Sequence, residues 1–173
     1  MNQQGKEEWY VLFVIANQEE KVKKILEKEV GDEYKFIVPK RELRERKDGI
    51  WHMVKRKLFP GYVLIKGIMN IEVYHKLKKI PGIIKLLSNE GDILTVDEKE
   101  LRVLKVILGS DDNIGISKLY KENDSVKIIA GPLVGLEGQI VKVDFRKGRA
   151  KVSLSFMNEE RVVELGIEVV DKI

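Results

Sequence analysis

Hydrophobic spacing changes period several times along the chain, and each change marks an element. Trp9-Tyr10-Val11-Leu12-Phe13-Val14-Ile15 is an unbroken aromatic and aliphatic run, which predicts a buried central strand. Asn17 is placed to cap a helix with Glu19 and Glu20 in its first turn, where the helix dipole favours acids. Val22, Ile25, Leu26 and Val30 then share one helical face, and Gly31 ends it. Residues 34–39 predict a second strand stopped by Pro39. Arg41 to Arg46 alternates charge and suits an exposed strand or loop. Asp48-Gly49 is a hairpin signal, so Trp51 to Leu58 becomes the return strand. After Phe59-Pro60-Gly61, Tyr62 to Ile65 reads as another buried strand. Val73, Leu77 and Ile80 give a helix over 71–80, ended by Pro81-Gly82. Ile83 to Leu87 is a short strand, and 89–92 a turn. Leu101, Leu104 and Leu108 predict a helix over 95–108, capped by Thr95 or Asp97.

The pattern then shifts. Residues 109–115 are small and polar and read as a linker. Beyond them the apolar runs are short: 125–129, 136–144, 150–155 and 161–165, separated by turns at 131–138, 146–148 and 157–160. Strands this short and regularly spaced predict a small barrel. Lys127 to Val143 is a strand, a glycine-rich turn and a strand. Its glycines, 131, 135 and 138, fall where a tight corner needs positive φ or room for a neighbouring backbone. The fold class expected is α+β: an antiparallel sheet flanked by helices over 7–109, a linker over 110–119, and an all-β barrel over 120–173.

Composition adds charge to this picture. Charged residues make up 35% of the chain and apolar ones 43%, enough for ordinary cores. The net charge of +4 is modest, but it is unevenly distributed. Lys40 to Lys57 carries eight cations against three acids, and Lys121 to Lys151 carries seven against four; both stretches can meet phosphates. From Val152 the sign reverses. The absence of cysteine removes disulfides and thiolate metal sites. No signal-peptide pattern opens the chain and no apolar run approaches the ~18–20 residues of a membrane span, so a cytoplasmic location is expected.

Catalytic constellations are sparse. The two histidines, His52 and His75, lie on different expected elements, and nothing in their spacing builds a metal site. There is no Gly-x-Ser-x-Gly elbow, and the glycines at 131–138 sit between strands, without the helix N-terminus a phosphate cradle needs. No enzyme activity, metal or cofactor is expected. An RNA-acting enzyme and a ribosomal structural protein remain the rival classes.

The stretch 127–143 closely resembles a KOW motif, found in proteins that work on RNA, ribosomes or RNA polymerase. Trp9-Tyr10-Val11, a following helix, Lys57-Leu58-Phe59-Pro60-Gly61-Tyr62-Val63-Leu64 and Pro81-Gly82-Ile83 resemble the N-terminal (NGN) domain of the NusG family of transcription elongation factors. The paired order extends from about Glu8 to the C-terminus. The resemblance implies an NGN domain joined to an SH3-like KOW barrel. It also implies that an apolar surface, matched here by Phe13, Phe59, Tyr62 and Leu64, docks on the clamp helices of the largest RNA polymerase subunit. Tyr74, His75 and Lys76 match the place where family paralogs touch the opposite jaw of the DNA cleft. DNA in the elongation complex is a further contact, and a monomer is expected.

Within the family the chain departs from the general factor. Phe156 matches the loop that docks Rho or a ribosomal protein, but Met157-Asn158-Glu159-Glu160 brings bulk and negative charge to a turn that is usually small. Asp144 to Lys151 concentrates cations at a hairpin tip. The whole resembles the LoaP-type antiterminators, which implies an RNA hairpin in the nascent transcript as partner. Lys127, Lys142, Arg146, Lys147, Arg149 and Lys151 are the candidate RNA-binding residues. A general factor coupling polymerase to Rho or the ribosome is the alternative. Val126, Ile128, Ile140, Val152 and Val163 are β-branched and favour strand over the helical hairpin of fold-switching paralogs. An isolated 118–173 fragment is therefore expected to give a strand-dominated circular dichroism spectrum, and a mostly helical one contradicts this.

Overall fold

The computed structural model describes residues 5–109 and 112–170. These residues group into two compact units that do not follow chain order. One takes the described part of Met1–Val38 with Phe59–Val96. The other takes Pro39–Leu58 with the described part of Asp97–Ile173.

In the first unit, β1 (Glu8–Val14) is the central strand of a sheet ordered β2-β5-β1-β6, where β2 is Lys35–Ile37, β5 Tyr62–Gly67 and β6 Ile83–Leu86. β1 runs antiparallel to both neighbours. Period-two alternation divides it: Tyr10, Leu12 and Val14 join Val63 and Ile65 in a core that includes Val22 and Leu26 of α1 (Glu19–Glu29) and Val73 and Leu77 of α2 (Ile71–Lys79). The residues between, Trp9, Val11 and Phe13, point to the other face.

The cap of α1 differs from expectation. Asn17 adopts φ 69° and offers no side-chain cap. No side chain caps the helix; the buried Glu19 carboxylate instead turns to the adjoining loops, with Oε1 accepting from the Asn17 N–H at 3.3 Å and from the Gly61 N–H at 2.8 Å. That bond ties the Phe59–Gly61 turn to the helix. The N-cap of α2 is Asn70, which accepts from the Val73 N–H. Residues 88–93 form a small hairpin, β7 (Ser88–Asn89) and β8 (Asp92–Ile93), around the expected turn. Thr95 bridges to Tyr10 and caps no helix.

In the second unit, β3 (Lys40–Lys47) and β4 (Ile50–Lys57) form the hairpin expected from Asp48-Gly49, with Arg46 opposite Trp51 and Arg44 opposite Met53. Helix α3 (Glu98–Ile107) is capped by Asp97, whose side chain accepts from the Lys99 N–H. Of the expected linker, Ser110 and Asp111 lie outside the described residues. Asn113–Ile114 is a strand, β9, pairing in parallel with the start of β3; Ile114 is buried, and the Asn113 amide donates to Glu42. This pairing spans some seventy residues of sequence, so local composition cannot signal it.

The barrel is a five-stranded sheet ordered β11-β10-β14-β13-β12. Its strands are β10 (Ser117–Glu122), β11 (Ser125–Ala130), β12 (Ile140–Asp144), β13 (Arg149–Phe156) and β14 (Glu159–Val169). Strand β10 begins inside the stretch expected as linker. Ala150, Val152, Leu154 and Phe156 alternate inward, and Leu119, Leu133, Leu165 and Ile167 complete the core. A 3₁₀ turn at Glu137–Gln139 precedes β12, which is shorter than the expected 136–144 strand.

Two glycines set close approaches. Gly131 has φ 100°, and a Cβ there would lie 2.6 Å from the Ser117 Cα. At Gly166, a Cβ would collide with the Glu42 carbonyl oxygen of β3, so the bare backbone is what lets the hairpin lie against β14. Gly138, by contrast, has open space and no unusual φ. Gly166→Ala is expected to destabilise the protein by about 1–3 kcal/mol in urea unfolding, since backbone cannot yield as a side chain can. Gly138→Ala should stay within about 0.5 kcal/mol.

Candidate nucleic-acid interface and docking face

The residues expected to bind RNA divide into four groups. Arg146 and Lys147 stand exposed at the β12–β13 tip. The tip is pinned by Asp144, whose Oδ1 accepts from the Lys147 N–H at 2.9 Å. That bond, and secondarily the nearby Lys147 charge, hold the Asp144 carboxyl below the usual carboxylate range. Lys142 and Lys151 lie directly opposite each other across β12 and β13, an unfavourable cross-strand pairing of like charges. On its other side Lys151 faces Glu164.

Arg149 does something else. Its Nη1 donates to Glu164 at 2.7 Å, while Nη2 reaches the Arg44 carbonyl at 3.5 Å and lies 3.9 Å from Glu45. It is a clamp between barrel and hairpin, and phosphate would have to compete with two carboxylates for it. Lys127 sits on β11, at the opposite edge of the sheet order from β12, and pairs with Glu122 at 2.9 Å. That hydrogen bond raises its pKa. Lys127 is thus paired with an acid in the free protein.

The hairpin adds residues that charge counting alone does not single out. About the Asp48–Gly49 turn, Arg44, Arg46, Trp51, Met53 and Lys55 share one face. Trp51 is 44% exposed and Met53 54%. The opposite face carries the buried Leu43 and the Glu45–Arg56 pair, whose two hydrogen bonds of 2.6 and 2.9 Å depress the Glu45 pKa and raise that of Arg56. A cleft of about 320 Å³ opens where the basic face meets the barrel tip, lined by Arg44, Trp51, Phe145, Arg146 and Lys147 among others. The Arg44 guanidinium lies 5.7 Å from the Trp51 ring centroid, and Lys121 Nζ 5.4 Å from that of Phe145. The signal for Trp51 is present in the sequence as alternation about a recognised hairpin turn.

The residues expected to contact polymerase lie in the first unit. Phe13 and Tyr62 are cross-strand partners with ring centroids 5.7 Å apart, both half-buried. Phe59 and Leu64 are buried, at 3% and 2% exposure, so neither offers much surface itself. On α2, His75 and Lys76 are exposed and Tyr74 is half-buried, with Lys78 Nζ 4.5 Å from its ring centroid. Phe156, at the end of β13, is fully buried. Among the described residues no group of three or more histidines and acids is placed to hold a metal ion, and no helix is long and apolar enough to cross a membrane.

An α/β domain with a central antiparallel sheet, combined with a small barrel entered by a glycine turn, is the NGN–KOW architecture. Residues 7–105 match the family described as transcription termination factor nusG, and 122–153 match the KOW motif. The chain belongs to the NusG family of transcription termination/antitermination factors. It is 31% identical to transcription termination/antitermination protein NusG of Bacillus subtilis (strain 168), over 95% of this chain and 98% of that one. The Pasteurella multocida (strain Pm70) protein of the same name is 29% identical over 96% of each chain. A solved structure concerned with domain interaction in Thermotoga maritima NusG superposes with a TM-score of 0.58 at 26% identity, covering 93% of this chain and 94% of that one.

The depressed Asp144 pKa has a defined sign. The tip bond is fully present above the unfolded carboxylate value of about 3.9 and is lost as pH falls through the lower folded value. The Lys147 amide proton, followed by NMR, should titrate with a midpoint below about 3.9, and Asp144→Asn should abolish that titration.

Proposed function

We propose that this chain is a transcription elongation and antitermination factor that grips RNA polymerase with its first unit and an RNA hairpin of the nascent transcript with its barrel. The observation that carries the RNA reading is the tip. Arg146 and Lys147 project from a turn that Asp144 pins, beside Lys142 and Lys151 held opposite each other. Like charges in register cost stability in the free protein, and a phosphate between them turns that cost into attraction. Arg149 serves the site indirectly by holding the tip to the hairpin, and Lys127 is paired with Glu122.

For polymerase, the Phe13–Tyr62 ring pair supplies an aromatic anchor for the clamp helices of the largest subunit. Phe59 and Leu64 shape that face from buried positions. The Glu19–Gly61 bond fixes the turn that presents Tyr62. On α2, Tyr74, His75 and Lys76 are suited to the opposite jaw or to DNA in the elongation complex. Bridging two jaws favours the closed, processive polymerase by population shift and needs no bond chemistry from this chain.

The general-factor reading draws on full-length similarity to proteins named for both termination and antitermination. Against it stands Phe156, whose buried ring is not presented to a partner.

In vitro transcription through an intrinsic terminator decides between them. Read-through that rises with the protein and depends on an upstream RNA hairpin is the expected result. On a Rho-dependent template with Rho added, enhanced release that does not depend on the hairpin would favour the general factor, and capture of ribosomes without polymerase would favour a ribosomal protein. Converting Arg146 and Lys147 together to Gln should weaken RNA binding and lower the salt slope by about 1–2.

A further inference from the structure

The β3–β4 hairpin has no part in the RNA reading above, yet it carries the most exposed aromatic–cationic face among the described residues of its unit. Arg44, Arg46, Trp51, Met53 and Lys55 alternate onto one side, with Glu42 at its far end holding Asn113. An indole 44% exposed and a methionine 54% exposed, set among cations, are not explained by core packing. A large aromatic ring kept in water between guanidinium groups is what a stacking platform for a nucleobase requires.

The cleft gives that platform its second half. Trp51 and Arg44 come from the hairpin, and Phe145, Arg146 and Lys147 from the barrel tip. At about 320 Å³ the cleft reaches the lower range of pockets that hold small ligands. Both exposed aromatics already have cations nearby, Arg44 at Trp51 and Lys121 at Phe145. Glu168 is the one carboxylate lining the cleft among the described residues. It repels phosphate and accepts hydrogen bonds from a base amino or imino group, so the base edge belongs toward Glu168 and the phosphates toward Arg146 and Lys147. A fully paired duplex cannot offer a base to this cleft, because its bases are stacked inside the helix.

We infer that this cleft takes an unpaired nucleotide, its base stacked on Trp51 and its phosphate held by Arg146 and Lys147. The inference rests on the nucleic-acid reading of the barrel tip and extends it. The tip meets the backbone, and the hairpin discriminates single-stranded from paired segments. The chemistry recognised is a flat base with a flanking phosphate. The looped or unpaired part of a transcript supplies it, and so does a displaced DNA strand.

The test uses the full-length protein, a short oligoadenylate, a blunt RNA duplex and the matching oligodeoxyadenylate. The chain has two tryptophans, and Trp9 is only 8% exposed, so stacking reports through Trp51. Oligoadenylate should quench tryptophan fluorescence and the duplex should not. Trp51→Ala should weaken oligoadenylate binding roughly 5- to 150-fold, the range for loss of one stacked base, and leave duplex binding unchanged. Trp51→Phe should keep the affinity while losing the quench, which separates stacking from any folding defect in the alanine variant. Equal quenching by oligodeoxyadenylate supports the cleft and makes single-stranded DNA a source as well. Oligoadenylate bound without quenching, or with affinity indifferent to Trp51→Ala, overturns the cleft and leaves the tip's RNA reading standing. Failure of both RNAs to bind overturns the two readings together.

Discussion

One guanidinium organises the second unit. Arg149 projects from β13 and is shared between Glu164 of β14, Glu45 of β3 and the backbone carbonyl of Arg44. The planar fork suits this task, since N–H groups fixed in one plane point to separate acceptors at once, where a lysine ammonium is a compact point charge without that fixed geometry. Arg41 lies close by, half-buried, and burial lowers its pKa against the support of Glu164. Such a junction is polar, and partly exposed ion pairs contribute little to stability. What they supply is orientation. Gly166 removes the side chain that would hold β3 away from β14, and Arg149 fixes the direction in which the hairpin leaves.

That constraint sorts the charges of a very basic segment. Lys40 to Lys57 alternates, so every residue is assigned to one of two faces once the Asp48–Gly49 turn sets the register. The face of Leu43 and Glu45 is consumed by apolar burial and by the Arg56 and Arg149 pairs. The other face keeps its arginines with Trp51 and Met53. The same division recurs at the barrel tip, where Arg149 turns toward acids and Arg146 and Lys147 toward solvent. Segment charge counts therefore overstate the number of cations available to a ligand, and pairing decides which remain.

Local signals carried much of this architecture. The unbroken run at 9–15, the helical spacing of Val73, Leu77 and Ile80, and the Asp-Gly turn each produced the expected element, because each is written in the composition or spacing of its own few residues. What was illegible is non-local. Strand β9 reads as linker because Asn113 and Ile114 gain their partners from Lys40 and Arg41. Arg149 reads as a ligand-binding cation because its carboxylates come from β3 and from the far side of a hairpin. Asn17 reads as a cap, yet its side chain makes no cap bond, and what orders this helix start is Gly61, which donates to the Glu19 carboxylate from 42 residues away. At the docking face the residue types were legible but their exposure was not: Leu64 shares the face of Phe13 and Tyr62 yet is buried, as is Phe59, while Phe13 and Tyr62 stay partly exposed.

The glycine turn that makes the KOW segment recognisable is best understood through the same logic. Gly131 is held to a left-handed conformation with the Ser117 backbone against it, and the Ser117 hydroxyl accepts from the Leu133 N–H at 3.0 Å. Leu133 is thereby buried as a plug of the barrel. The turn over 131–138 thus builds a corner and closes a core, and it carries no cations of its own. Its consequence for binding is mechanical. A closed core gives β12 and β13 a fixed frame, the frame holds the Asp144–Lys147 tip, and Arg149 carries that fixed geometry across to the hairpin. Charge can be added to almost any exposed turn, but two cations and an indole held at one cleft require this chain of rigid contacts behind them.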